Sequence, residues 1–242
     1  MPLDRIRFLG TRANIDRRTW RHRRHSALLI ATDEGRLMVD CGADWKDLLG
    51  MVAPDAILIT HAHPDHAWGL ADGAPCPVYA TQAAWEGLAG FPVAERRMVE
   101  PGHPLTILGV QVEAFEVVHS IRAPAVGYRL ARGTFGLFYV PDVVAIPRRG
   151  AALRGLSLYV GDGSSIVRPL VRRQGELLFG HTTIRAQLGW CAEEGVGRAL
   201  FTHCGGAVLD RERDAARAVR DLGRARGVEA RLACDGLRLV MA

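Results

Sequence analysis

Lysine is almost absent from this chain of 242 residues. Lys46 is the only one, so arginine carries nearly all of the positive charge behind the formal net charge of +5. Positive charge favours anionic partners such as nucleic acid, but a skew from lysine to arginine is equally typical of genome-wide codon bias. The composition therefore leaves nucleic acid open as a partner without favouring it.

Long hydrophobic runs and paired cysteines are missing as well. No apolar stretch approaches the ~20 residues of a membrane span, and residues 1–5 lead into a strand-like segment without the apolar core of a signal peptide. The five cysteines are an odd number, widely scattered and without a Cys-x-x-Cys pair, which is typical of reduced thiols. We expect a cytoplasmic protein without membrane contact, folded as a single domain over residues 1–242.

The most informative segment reads Thr-His-Ala-His-Pro-Asp-His at positions 60–66 and follows the apolar run 56–59. Imidazole and carboxylate groups are the usual ligands of zinc and similar divalent metals. One loop cannot aim all four groups at a single tetrahedral ion, so His61 and His63 can share one metal while Asp65 and His66 turn toward a second. Two adjacent ions indicate hydrolysis by a bridging hydroxide. The alternatives are a surface histidine cluster or a lone structural zinc site, which normally has four ligands, often cysteines.

Short apolar runs that end in Asp or His recur along the chain. The residues at these ends are Asp40, His61, His119, Asp142, Asp162 and His203. Runs of this length are buried strands more often than helices, so we expect the six ends to converge on one rim of a sheet protein. Helices are predicted over 44–50, 81–90, 183–194 and 210–226, and the pattern indicates two packed sheets covered by helices.

Together these residues resemble the metallo-β-lactamase superfamily, whose signature is the His-x-His-x-Asp-His loop. The resemblance covers nearly the whole chain and implies an α/β fold, a four-layer αββα sandwich with two divalent metal ions at one edge. The ions would be zinc, or manganese or iron, because His/Asp sites accept several metals. The implied ligands are His61, His63 and His119 for the first metal, Asp65, His66 and His203 for the second, and Asp142 as the bridge between them. Asp40 would orient a ligand imidazole from behind.

Further motifs resemble the branch that holds ribonuclease Z and the phosphoribosyl cyclic phosphodiesterases. They are Val-Val-His-Ser at 117–120, Gly-Tyr-Arg at 127–129, Gly-His-Thr-Thr at 180–183, Leu-Phe-Thr-His at 200–203 and Cys-Asp-Gly-Leu at 234–237. The chain has no Cys-rich zinc site, which the cyclic phosphodiesterase carries, and no insertion that could form the tRNA-binding arm of ribonuclease Z. Asp162 lies in the region where ribonuclease Z carries a glutamate.

This branch implies catalytic roles for Asp65 and His181. His181 would protonate the departing oxygen or hold the scissile phosphate, because the pKa of imidazole lies near the working pH. The alternative is a structural histidine at a helix start, bonded to backbone. Arg122 and Arg168 are candidates for contacting a substrate phosphate.

The leading hypothesis is a dinuclear metal phosphodiesterase that acts on a small cyclic or nucleotide-like phosphodiester. The alternatives are an acyl hydrolase for a thioester, lactone or lactam, and a metal-stabilised binding protein without activity. The basic cluster at 17–25 is either a solvated loop or an arm that contacts phosphate or the second subunit of a homodimer. We expect His22 and His25, which belong to this cluster, to be exposed.

Overall fold

Two mixed β-sheets form the centre of the computed structural model, which describes residues 5–241. The expectation for residues 1–4 lies outside that range. The strands of the first sheet are β1 (Arg5–Gly10), β2 (Ala27–Ala31), β3 (Arg36–Val39), β4 (Ala56–Leu58), β5 (Val78–Ala80), β6 (Arg96–Met98) and β16 (Arg238–Val240). Those of the second are β7 (Leu105–Ile107), β8 (Val110–Val117), β9 (Ala125–Arg132), β10 (Phe135–Tyr139), β11 (Leu158–Asp162), β14 (Arg198–Thr202) and β15 (Glu229–Leu232).

The spatial order is β16-β1-β2-β3-β4-β5-β6 in the first sheet and β15-β14-β11-β10-β9-β8-β7 in the second. Two further strands in the described part of the chain, β12 (Leu170–Gln174) and β13 (Leu177–His181), pair with each other there as a separate antiparallel hairpin. The sequence analysis did not predict this hairpin.

The helices are short and lie outside the two sheets. They are α1 (Leu49–Val52), α2 (Pro64–Ala67), α3 (Gln82–Gly87), α4 (Arg149–Leu153), α5 (Ile184–Glu193), α6 (Gly206–Leu209) and α7 (Glu212–Arg224), with 3-10 turns at Ala43–Leu48 and Trp68–Leu70. The four predicted helices overlap these elements, although the first is mostly a 3-10 turn and the last begins later. None of the helices within residues 5–241 is long and apolar enough to span a membrane.

Alternation along the strands divides the apolar side chains among three layers of core. Leu37 packs between the two sheets, whereas its neighbour Met38 packs against the helices outside the first sheet. Leu137 and Phe138 divide in the same way on the second sheet, where Phe138 meets α5 and α7. Because successive side chains of a strand point to opposite faces, each sheet is covered on both sides. This confirms the predicted four-layer αββα sandwich.

The strand directions place the polar residues of interest at one edge. Strands β3 and β4 run parallel in the first sheet, and β10, β11 and β14 run parallel in the second. Asp40 and His61 follow the first pair, whereas Asp142, Asp162 and His203 lie at the ends of the second group. The carboxyl ends of both sheets therefore meet at one rim, as the strand-end pattern predicts.

Candidate metal centre

The loop after β4 separates its four polar side chains by a change in backbone conformation. His63 is extended, with ψ at 152°, and Pro64 occupies the first turn of α2, where its missing N–H costs nothing. His61 and His63 therefore precede the helix, whereas Asp65 and His66 lie within its first turn. This change of conformation lets one short segment contribute ligands to two neighbouring metal positions.

The first position is surrounded by three histidines and one carboxylate. His61 Nε2 lies 2.9 Å from His63 Nδ1, and His119 Nε2 lies 3.3 Å from the same atom. Asp142 Oδ2 is 3.2 Å from His61 Nε2. All four ligand atoms lie within 4.8 Å of one another, so they converge on a point that a small cation could occupy.

The second position shares Asp142 with the first. Asp65 Oδ2 lies 3.0 Å from His203 Nε2, and His66 Nε2 lies 3.0 Å from Asp142 Oδ2. These four residues again bring one ligand atom each to within 4.8 Å of the others. The structure thus gathers all seven candidate ligands, with Asp142 common to both groups.

Two buried atoms show that protein contacts alone do not satisfy this centre. His66 Nε2 lies 3.0 Å from Asp142 Oδ2, and Asp142 Oδ1 lies 2.8 Å from His203 Nδ1, yet neither atom makes a well-directed hydrogen bond to the described residues. Buried polar atoms without partners are rare in folded proteins. Imidazole and carboxylate donors are what zinc, manganese and iron bind, so these residues fit a pair of divalent ions.

Electrostatics points the same way. Burial lowers the pKa of His61, and that of His63 to about 4, so both are neutral and offer a lone pair. Burial alone would raise the pKa of Asp142, but the surrounding histidines, His203 first, hold it well below its usual range. Burial would lower the pKa of His66 and of His203, but the carboxylates around them raise both well above the ordinary value. The centre therefore attracts positive charge, which protons supply on these two rings and which metal ions would supply in their place.

Asp40 lies behind His66. Its backbone adopts φ 61°, and its carboxylate accepts hydrogen bonds from Thr60 N at 2.8 Å and from Thr60 Oγ1 at 3.0 Å. Asp40 Oδ2 lies 2.8 Å from His66 Nδ1. This contact fixes the ring so that Nε2 faces the metal position, which is how outer carboxylates orient metal-binding histidines.

His181 lies beside the ligand cluster and is paired with Asp162. Its Nδ1 is 2.8 Å from Asp162 Oδ2 and 3.3 Å from Ser164 Oγ, so its partners are side chains instead of the backbone of the following helix. Burial disfavours its charged form, but the Asp162 carboxylate raises the pKa of His181 above its ordinary value. Asp162 is itself fixed, since it accepts hydrogen bonds from the backbone N–H groups of Val143 and Ser164.

The sequence analysis placed Asp162 at a strand end but gave it no role. His181 follows it nineteen positions later in the chain, and the two side chains meet only because β11 and β13 end close together. The one signal was its position in the region where the resembling branch carries a glutamate.

A cavity of about 500 Å³ opens over the centre. It is lined by the ligands His63, Asp65, His119, Asp142 and His203 and also by His181, Ser165, Arg168, Leu170, Asn14 and Ile15. Of the two candidate phosphate contacts, Arg168 lines the cavity, whereas Arg122 is exposed and is not among its lining residues.

The expectation that His22 and His25 are exposed is wrong. His22 is fully buried, with Nδ1 2.8 Å from Thr11 Oγ1, and His25 is 7% exposed. Carboxylates from distant segments account for this, because Asp235 accepts from Thr11 Oγ1 and Asp44 accepts from the His25 N–H. The loop is also tied to the metal centre, since the Ala13 N–H donates to the carbonyl of Cys204.

Comparison with known proteins agrees with this geometry. A sequence model for the "Beta-lactamase superfamily domain" matches residues 36–204. Ribonuclease Z of Methanopyrus kandleri is 29% identical over 191 residues, which make up 65% of this chain and 67% of that protein. An octanoyltransferase of Porphyromonas gingivalis is 29% identical over 162 residues, 57% of this chain, and the chain spans only 32% of that relative.

Among solved structures, the metallo-β-lactamase fold protein YhfI of Bacillus subtilis superposes with a TM-score of 0.75 at 18% identity. The superposition covers 98% of both chains. At this level of identity the likeness concerns the fold alone.

Proposed function

The chain belongs to the beta-lactamase superfamily and is a metal-dependent hydrolase, and from this premise we propose that it is a phosphodiesterase for a small cyclic or nucleotide-like phosphodiester. The seven His and Asp residues gathered at the sheet edge would bind two divalent metal ions. Bound there, two divalent ions supply a nucleophile generated from water and neutralise charge on the phosphate. The similarity to ribonuclease Z supports phosphodiester chemistry.

The pairing of His181 with Asp162 carries this proposal. Asp162 holds Nδ1 of the ring, so Nε2 is left for the cavity that His181 lines. An alkoxide is a poor leaving group, and a positioned acid assists its departure. His181 can hold a proton for that oxygen, and the carboxylate of Asp162 favours the protonated ring. Asp65, which also lines the cavity, is a candidate to take a proton from the attacking water.

An acyl hydrolase is the second candidate, and the apolar part of the cavity favours it. Ile15, Leu170 and Ala207 are among the residues that line the cavity, and an acyl chain could contact them. A thiolate leaves readily without a proton, however, so thioester hydrolysis gives no role to the His181–Asp162 pair.

Rates on matched substrates test the two candidates. Protein loaded with zinc or manganese is given bis-p-nitrophenyl phosphate, a p-nitrophenyl thioester and a lactone at equal concentrations. We expect the phosphodiester to have the highest kcat/KM. A higher value for either acyl substrate, with little hydrolysis of the phosphodiester, would replace the proposal with acyl hydrolysis.

A further inference from the structure

The hairpin β12–β13 stands at the mouth of the cavity. All five residues of β12 are exposed, and so are Leu177 and Leu178 of β13. A two-stranded hairpin is marginally stable in water by itself. Its base is anchored, because the Gly180 N–H donates to the carbonyl of His119 at 2.7 Å and the Thr182 N–H donates to the carbonyl of Val143 at 2.8 Å. The hairpin is therefore attached directly to loops that carry the candidate ligands.

One face of this hairpin continues the wall of the cavity. Leu170 lines the cavity and pairs across the hairpin with His181. Alternation along β12 puts Arg172 on the same side as Leu170, and the register pairs Arg172 with Phe179. We call the residues Leu170, Arg172, Phe179 and Leu177 the inner face. Val171, Arg173 and Leu178 point to the opposite side and form the outer face.

The inner face offers an aromatic ring beside a free cation. Phe179 is partly exposed and Arg172 is exposed. Arg172 forms no ion pair within the part of the chain that the structure describes, whereas Arg173 on the outer face lies 3.4 Å from Glu176. Aromatic rings stack on nucleobases, and arginine binds phosphate. The pair lies two residues, about 7 Å, along the strand from the Leu170–His181 pair, a distance that a nucleoside attached to the scissile phosphate can span.

The charge of the segment agrees with a polyanionic ligand. Between positions 167 and 178 there are three arginines, Arg168, Arg172 and Arg173, and Glu176 is the only acidic residue. Arg168 lines the cavity itself, so positive charge extends from the metal centre outward along the hairpin.

We infer that the inner face is a subsite for the nucleotide next to the scissile phosphodiester, so that the substrate is a single-stranded oligonucleotide. Phe179 stacks on the base, and Arg172 binds the next phosphate. This inference rests on the proposed phosphodiesterase function and selects a nucleotide chain, instead of a small cyclic diester, as the substrate.

Two esters with the same leaving group isolate the base. Thymidine 5′-p-nitrophenyl phosphate carries a base, whereas methyl p-nitrophenyl phosphate does not. We expect Phe179→Ala to lower the ratio of their kcat/KM values by roughly 5- to 150-fold, as for the loss of one stacked base. Phe179→Trp should restore the ratio. The matched control is Leu178→Ala on the outer face, which should leave the ratio unchanged.

A binding measurement isolates the phosphate contact. The affinity of the metal-loaded protein for a fluorescein-labelled oligothymidylate is measured by anisotropy at several salt concentrations. Arg172→Gln should weaken binding and reduce the slope of log K against log salt by about 0.7, the value for one contact to a single strand. Arg173→Gln, its neighbour on the outer face, should change neither.

The outcomes separate this inference from the proposal beneath it. If the wild-type protein hydrolyses neither ester, the phosphodiesterase proposal fails. If it hydrolyses both esters with equal kcat/KM, and Phe179→Ala changes nothing, the nucleotide subsite is excluded while the phosphodiesterase stands. Equal losses in the inner-face and outer-face variants would also overturn the subsite, since they would show that the hairpin matters only for folding.

Discussion

The metal centre and the loop at 11–25 are two buried polar regions that meet at Cys204, yet they balance charge differently. In the loop the Arg12 guanidinium is 2% exposed and lies 2.5 Å from the Asp44 carboxylate. In the metal centre the three carboxylates of Asp65, Asp142 and Asp162 are buried, and all their ion-pair partners among residues 5–241 are histidines. In the loop a permanent cation, Arg12, balances the carboxylate. In the metal centre the carboxylates depend on cations that exchange, either protons on histidines or metal ions.

This difference separates stability from function. An arginine cannot lose its charge in a protein, so Asp44 keeps a cationic partner at every pH. The loop can therefore support the cavity wall at Ala13 and Ile15 without a metal ion. The centre gains its positive charge from histidine protons or from metal ions. Changes in the centre should therefore alter metal content and activity, whereas changes in the loop should alter folding.

The largest effect is expected for Asp142→Asn. Asp142 belongs to both ligand groups, and an amide neither carries the charge nor bridges two cations. Metal content should fall from two ions per chain to one or none, and hydrolysis should fall by more than the roughly 10–100-fold typical of losing an outer contact. Elemental analysis and kcat/KM of the same preparation test this. Two ions retained in Asp142→Asn, or a single ion in the wild type, would contradict the dinuclear centre.

His181→Ala comes next. Metal content should be unchanged, and activity on an alkyl phosphodiester should fall by roughly 10²–10⁴-fold, the usual contribution of a positioned acid. The loss should be smaller on an aryl ester, because p-nitrophenolate departs without a proton. His103→Ala, at an exposed turn, is the control. Equal losses on both esters would assign His181 to binding of the transition state, and no loss on either would make it structural.

Asp40→Ala should have a moderate effect that is confined to the metal centre. The variant removes the partner of His66 Nδ1, and loss of such a contact typically weakens metal affinity by about 10–100-fold. Competition with a chelator measures this affinity, and Asp72→Ala, on the surface, is the control. Unchanged affinity together with a large loss of thermal stability would show that Asp40 only supports the fold.

Much of this arrangement could be predicted from the sequence because its signals are local. The loop at 60–66 carries three histidines and one aspartate within six residues, and strand ends carry the other candidate ligands. These short patterns predict two packed sheets with a metal site at one rim, and the family resemblance that they support implies the αββα sandwich and the full set of seven ligands. The hairpin at 170–181 is exposed along β12, and its sequence does not alternate between apolar and polar residues, so the sequence does not indicate strands there. The Asp162–His181 pair and the burial of His22 and His25 depend on contacts between segments that are distant in the sequence. The arginines around His22 and His25 also suggest an exposed loop, so the sequence points away from their burial.

The smallest effect concerns the loop and depends on pH. His25 is buried beside Arg12, and burial first, then the arginine, lowers its pKa from 6.5 to about 4. Above pH 6.5 the ring is neutral in both the folded and the unfolded chain and contributes nothing to the difference. Between pH 6.5 and about 4 only the unfolded chain binds the proton, so the free energy of unfolding falls as the pH falls.

We expect the total loss from this one group to be on the order of 1–2 kcal/mol, because part of its shift is screened by solvent. Urea unfolding of the wild type and of His25→Gln at pH 7, 6 and 5 gives the free energy of unfolding of each protein. The metal ligands titrate alike in both, so their contribution cancels when the two free energies are subtracted. His25→Gln should lose less stability over this range than the wild type, whereas His103→Gln should follow the wild type. If His25→Gln loses as much stability as the wild type, His25 is not held neutral in the folded chain. The ion pair between Arg12 and Asp44 would then not account for the charge of this loop, and the contrast with the metal centre would fail.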